Sequence, residues 1–139
     1  MAGPLRLLGQ WLGHAWAAPA ALVGLLLALC LWRRGQRWQR RQGTLEIDLG
    51  LAEQASARYG AITFGQVIVG RNATQLALLR AHEQVHVRQY RRWGLLFFPA
   101  YALSSLWQWL HGRDPYRDNA FEREAYRLAP THGKTLKSL

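Results

Sequence analysis

Between Trp11 and Trp32 the chain reads WLGHAWAAPAALVGLLLALCLW, with no Asp, Glu, Lys or Arg. A helix of about 20 apolar residues is long enough to cross the hydrocarbon core of a bilayer, so this run limits the fold more than any other feature. Trp11, Trp16 and Trp32 stand near its ends, where indoles favour the membrane–water interface. RRGQRWQRR follows at once, five arginines in nine residues. Positive flanks stay in the cytoplasm. The pattern therefore predicts a single-pass membrane protein with everything after the run on the cytoplasmic side. A cleaved signal peptide would carry its charge before the apolar run and a small-residue cleavage site after it. Here the charge follows the run, and Leu29 spoils LALC as a lipoprotein box.

The formal net charge is +10, but it is unevenly spread. Residues 1–41 hold six arginines and no acid, whereas the rest balances twelve basic residues against eight acidic ones. A basic cluster flush against an apolar run suits a membrane surface. No nucleic-acid recognition motif accompanies it, so a membrane-tethered nucleic-acid binder ranks low and no specific nucleic-acid partner is expected. The single cysteine, Cys30, excludes an intrachain disulfide and a cysteine-based zinc site. Any metal must be held by histidine and carboxylate.

Beyond the anchor and its flank (1–42), residues 43–130 read as one α+β, predominantly helical domain, followed by a polar tail at 131–139. TLEIDL (44–49) alternates polar and apolar, as a strand with one buried face does. LAEQASARYG (51–60) fits a short helix or a loop. AITFGQVIV (61–69) is β-branched and apolar, a second strand with Gly65 as a bulge or a point of close backbone approach. Asn72 or Thr74 can cap a helix running from about Gln75 to Trp93, with Gly94 as its stop. LLFFPAYALSSLWQWL (95–110) predicts a loop and a helix starting near Pro99. AFEREAYRLA (120–129) predicts a short helix with Phe121, Ala125 and Leu128 on its buried stripe.

The central helix carries the chemistry. At about 100° per residue, Leu76, Leu79, His82, Glu83, His86, Val87 and Tyr90 share one broad face, and Arg80, Gln84, Arg88 and Arg91 lie opposite. Two imidazoles on a buried face are costly without partners, and two charged ones a turn apart repel. A divalent cation removes both problems, because positions i and i+4 aim both rings at one point. His82-Glu83-Gln84-Val85-His86 is HExxH, in which the histidines bind zinc and the Glu acts as general base on a water. A third ligand must come from downstream: Asp114, Asp118, Glu122, Glu124 or His111. Mn²⁺ or Co²⁺ would suit the same donors.

HEQVH followed by NAFEREAY resembles the gluzincin metallopeptidases, in which HExxH is completed by a Glu on a later helix. The resemblance covers residues 61–129 at most. It implies a minimal zincin-like domain, a peptide or protein substrate, Zn²⁺ as cofactor, His82, His86 and Glu122 as ligands, and Glu83 as the catalytic base. Glu124 is the second candidate in that frame. Tyr126 stands where the family has Asp, which usually supports a ligand histidine. The family also implies that an edge strand pairs with substrate, here Phe64 to Val69.

Leu95 to Leu110 is short for a span, and arginines flank both its ends. If Glu122 meets His82 and His86, no crossing separates them, so this helix is expected to be buried or interfacial. Membrane lipid is an expected partner. With under about 100 residues outside the anchor, a homo-oligomer or a membrane partner could complete the groove. The rival reading keeps the zinc and discards turnover: a non-catalytic membrane scaffold.

Overall fold

In the computed structural model of the chain, which describes residues 4–32, 34–52 and 60–129, two tight turns organise the strands. At Gln42-Gly43 both residues have positive φ, 51° and 76°, as a type I′ turn requires, and the twist of that turn suits a two-residue hairpin. It joins β1 (Arg37–Arg41) to β2 (Thr44–Asp48) in antiparallel register, with Arg41 opposite Thr44. The arginine segment read from sequence as a flank is thus also a strand. The second turn, Gly65-Gln66, divides the run expected as a single strand. β3 (Ala61–Phe64) and β4 (Val67–Gly70) are separate and antiparallel, with Phe64 opposite Val67. Gly65 is not a bulge. Its φ of 60° is what the first position of a type II′ turn needs. The four strands form one mixed sheet in the order β1-β2-β4-β3, β2 and β4 running parallel.

Alternate strand residues serve different helices. Ile47 and Leu49 of the β2 segment and Val67 and Val69 of β4 pack against Ala21, Leu25 and Ala28 of α1 (Pro4–Cys30). On the other face Ile68 meets Leu76 and Val87 of α2 (Ala73–Trp93). Glu46 and Thr44 point the same way, towards Arg80 and Gln84 of α2. The polar–apolar alternation of β2 predicts one solvated face, yet Thr44, Glu46 and Asp48 are all buried. The physical reason is polar matching. Arg80 donates to both oxygens of Glu46, at 2.7 and 3.1 Å, and Gln39 adds a third hydrogen bond at 3.2 Å.

α1 is therefore one layer of the fold. Gly13, Ala17, Ala20, Gly24 and Ala28 recur on the side that meets the domain, so the helix backbone comes close. A Cβ on Gly65 would lie 2.5 Å from the Ala17 carbonyl oxygen, so this glycine serves both the turn and the approach of α1. Trp11–Cys30 is, among the described residues, the one stretch of helix long and apolar enough to cross a membrane.

Asn72 caps α2 by accepting a hydrogen bond from the Gln75 backbone at 2.9 Å, and Gly94 ends it with φ of 56°. A 3-10 turn (Gly94–Leu96) leads into α3 (Phe97–Leu110), which starts two residues before Pro99 and holds the proline in its first turn. α4 (Ala120–Leu128) follows, capped by Asn119. Tyr90, Phe97 and Phe121 join Ala17 and Ala20 in one cluster that ties α1, α2, α3 and α4 together. Leu128, expected on the buried stripe of α4, is 50% exposed; Glu122 takes the inward place instead. Most of the 51–60 segment and the polar tail lie outside the described residues.

Candidate metal centre

The third and fourth turns of α2 carry His82 and His86, both buried. Their Nε2 atoms are 3.1 Å apart. Zinc binds imidazole nitrogen at about 2.0–2.1 Å, and tetrahedral geometry then separates two ligands by roughly 3.3 Å. The two rings thus stand at ligand spacing. Glu122 reaches them from the first turn of α4, its carboxylate straddling the pair: Oε2 is 3.1 Å from Nε2 of His82 and Oε1 is 3.4 Å from Nε2 of His86. Among the described residues, His82, His86 and Glu122 form a buried group that could hold a metal ion. Their donor set, two imidazoles and a carboxylate, suits Zn²⁺.

Asn119 sets the position of Glu122. It is fully buried, and its amide nitrogen donates to the Tyr101 carbonyl at 3.0 Å and to Ser105 Oγ at 2.8 Å. Its side-chain oxygen accepts from the Phe121 backbone at 2.9 Å. One residue thus caps α4 and pins that cap to α3. The Tyr101 hydroxyl of α3 donates to Glu122 Oε1 at 2.8 Å.

Charge is balanced locally. Burial alone would push the Glu122 carboxyl up, but hydrogen bonds with His82 and His86 outweigh it and hold the pKa at about 2. Burial likewise opposes protonation of His86, and the Glu122 carboxylate overcomes it, so the imidazole is raised above its usual range.

Glu83 sits beside the pair, with Oε2 accepting a 2.6 Å hydrogen bond from Thr63 Oγ1 of β3. Glu83, His86 and Glu122 open onto a cleft of about 490 Å³ between β3 and α3, with walls that include Phe64, Phe97, Phe98 and Tyr116. Burial raises the Tyr116 and Tyr126 hydroxyls, so both remain protonated donors. The Tyr126 ring lies 4.7 Å from the His82 ring, centroid to centroid. It packs against that imidazole.

Glu124, the second candidate ligand, is turned away from the centre. It accepts a hydrogen bond from Gln89 Nε2 at 2.8 Å. Neither Asp114 nor Asp118 comes to the group; they stay in the exposed α3–α4 loop, bonding its backbone. His111 caps α3 against the Trp107 carbonyl. Four supporting residues escaped the sequence reading: Thr63, Gln89, Tyr101 and Asn119. Asn119 alone had a local signal, an Asn directly before a helical pattern. β3, Ala61–Phe64, is one of the two edge strands, the other being β1, while β4 is interior, which shifts the expected pairing edge from Phe64–Val69 to β3.

No family model, curated protein or solved structure matches the chain.

Proposed function

We propose that this chain is a membrane-attached zinc metallopeptidase of the gluzincin kind, a minimal zincin-like domain working at the cytoplasmic face. One observation carries the reading: two imidazole nitrogens 3.1 Å apart, bridged by the Glu122 carboxylate, with Glu83 beside them in an open cleft. His82, His86 and Glu122 would hold the ion. When bound, zinc supplies Lewis acidity towards a water and a scissile carbonyl. Glu83 takes the water's proton and passes it to the leaving amine. Thr63 holds the carboxylate for that exchange. Its hydroxyl occupies one lone pair of Oε2 and leaves the other oxygen for the proton.

β3 gives the substrate its register. Phe64 and Val67 close a two-residue turn, so Phe64 and Ile62 hydrogen-bond to β4. The backbone groups of Thr63 and Ala61 then face the free edge. An extended peptide laid there as an added strand passes over Glu83 and the histidines. The arginine-rich β1 favours an anionic, cytoplasmic leaflet.

Elemental analysis of the purified protein and a peptide-hydrolysis assay test the reading together. The wild type should carry one zinc per chain, Glu122→Ala should lose it, and Glu124→Ala should keep it. Glu83→Gln should keep zinc and lose hydrolysis. A wild type that carries zinc yet cleaves no peptide, with Glu83→Gln neutral in cells, would establish the scaffold instead.

A further inference from the structure

α1 has its large residues on the wrong side for a soluble protein. The side that meets the domain is small, Gly13, Ala17, Ala20, Gly24 and Ala28. The outer side carries Leu12, Leu22, Val23, Leu26 and Leu29, all exposed, Leu22 to 61%. α3 repeats the pattern: Leu103, Leu106, Trp107, Trp109 and Leu110 are exposed, Leu103 to 65%. The 3-10 turn packed against α1 adds exposed Leu95 and Leu96 between the two helices. So much exposed apolar surface on one small chain marks a contact with something apolar.

The inner contacts of α1 decide how that surface meets a bilayer. They run the length of the apolar stretch. Gly13 lies against Arg91, His14 accepts from Gln66 at 3.0 Å, Gly24 touches Phe64 and Val67, and the Ala28 carbonyl accepts from Gln36 at 3.3 Å. Arg40 shares a surface hollow with Trp11, His14 and Leu25. A helix crossing upright would draw Arg40, Arg91 and the edges of the sheet to hydrocarbon depth, where unpaired backbone and charge are costly. A helix lying flat avoids that cost. Its outer side enters the lipid by about 5–10 Å, and its inner side stays on the protein.

We infer that α1 lies in the plane of the membrane surface and that its outer face, with the 3-10 turn and α3, forms a one-sided platform for an anionic bilayer. The chain does not cross. Arg40 lies beside Trp11 and Leu25 of α1, and exposed Arg34, Arg37, Arg41 and Arg92 add cationic groups of the kind that match phosphate headgroups. Indoles at positions 11, 16, 32, 107 and 109 are of the type that settles at headgroup depth. The inference stands whether or not the metal centre is catalytic.

The full chain in a Cys30→Ser background tests it through Gly9→Cys, before the apolar run, and Ala77→Cys, on the exposed side of α2. In sealed, carbonate-washed membranes a bulky, impermeant maleimide should label both positions from the same side and neither from the other. Labelling from opposite sides would establish a crossing and overturn the inference. A nitroxide at Leu22→Cys, midway along α1, should report headgroup-proximal depth in vesicles of phosphatidylcholine with phosphatidylglycerol; bilayer-centre depth would overturn it. Release by carbonate as a discrete dimer, soluble without detergent, would also overturn it, assigning the apolar face to a second copy of the chain.

Discussion

The side-chain oxygen of Gln89 lies 2.8 Å from Nδ1 of His86. The other end of the same amide donates to the Phe121 carbonyl at 3.0 Å and to the Glu124 carboxylate at 2.8 Å. Both of those partners only accept, so the amide has one orientation and its oxygen must face His86. His86 Nδ1 therefore carries the hydrogen. In neutral His86 the lone pair is then on Nε2, directed at His82 and Glu122, which is the tautomer a metal needs. Gln89→Ala is expected to weaken metal binding by about 10- to 100-fold, read by competition with a chromophoric chelator. Glu124→Ala, which removes one of two anchors for the amide, should weaken it less. Equal losses from both would show that Glu124 does more than orient Gln89.

The centre should respond to pH in opposite senses with and without zinc. Glu122 is depressed from 4.5 to about 2, so its contribution to stability is present above pH 4.5 and is lost as pH falls through about 2. His86 is raised above 6.5, so its contribution is complete below pH 6.5 and disappears as pH rises through the folded value. The metal-free protein gains both between pH 4.5 and 6.5. Zinc competes with that proton. The rise in melting temperature on adding zinc should therefore be larger at pH 8 than at pH 5.5, measured by differential scanning fluorimetry against a chelated control.

α2 was legible in the sequence because its signals agree: Asn72 at the cap, a 3.6-residue apolar period and Gly94 at the stop. The histidine pair was legible for the same reason, since i, i+4 spacing fixes where two rings point. The strands were harder. AITFGQVIV carries no charge, no Pro and no Asn or Asp, so its β-branched pattern reads as one continuous strand, and only the Gly65-Gln66 pair marks the turn. RWQRR has no buried stripe and resembles a flank; its pairing comes from the Gln42-Gly43 turn and from β2. Gln89 was out of reach because it lies outside the HExxH frame and acts through α4, a contact of long sequence separation. The outward side of α1 was equally hidden. Composition reveals that the run is apolar, whereas the small-residue face against the sheet emerges only when Gly65 and Ala17 are seen together.

The Thr63 hydroxyl ties the edge strand to Glu83, bonding its carboxylate at 2.6 Å and its backbone carbonyl at 3.5 Å. Thr63→Val keeps the shape and removes the hydroxyl. On the peptidase reading it should lower kcat by about tenfold, the scale of a mispositioned proton-transfer group, while zinc content stays at the wild-type level. Loss of zinc in this variant would mean that Thr63 supports the whole centre rather than the base.

Glu46 is 0% exposed and depends on Arg80 for its charge partner. Breaking such a pair from one side leaves a buried carboxylate uncompensated. Arg80→Ala should cost about 3 kcal/mol, the lower end of the expected range because the Arg80 side chain is 24% exposed. Removing both charges with Arg80→Met and Glu46→Gln should recover most of the loss. Denaturant midpoints of the single and double variants in one detergent measure it. Failure of the double variant to recover would show that the ion pair also fixes the packing of α2 on β2.

Gly43 and Gly65 together test how firmly α1 is docked. Both sit in two-residue turns with positive φ, 76° and 60°, so alanine is strained at either, by about 1–2 kcal/mol in the left-handed region at Gly43 and by more at Gly65, where the first position of a type II′ turn calls for glycine. Their surroundings differ. The nearest atom to a Cβ at Gly43 is a guanidinium nitrogen of Arg91 at 3.6 Å, an ordinary contact, whereas at Gly65 it is the Ala17 carbonyl oxygen at 2.5 Å, with the Ala21 nitrogen at 2.7 Å. Helix backbone cannot swing aside as a side chain can, so α1 must shift. Gly65→Ala should therefore lower the denaturant midpoint well beyond Gly43→Ala and expose α1 to protease. Equal effects from the two substitutions would mean that α1 leaves the sheet at no cost, and the layer it forms would then contribute nothing to holding β3 over Glu83.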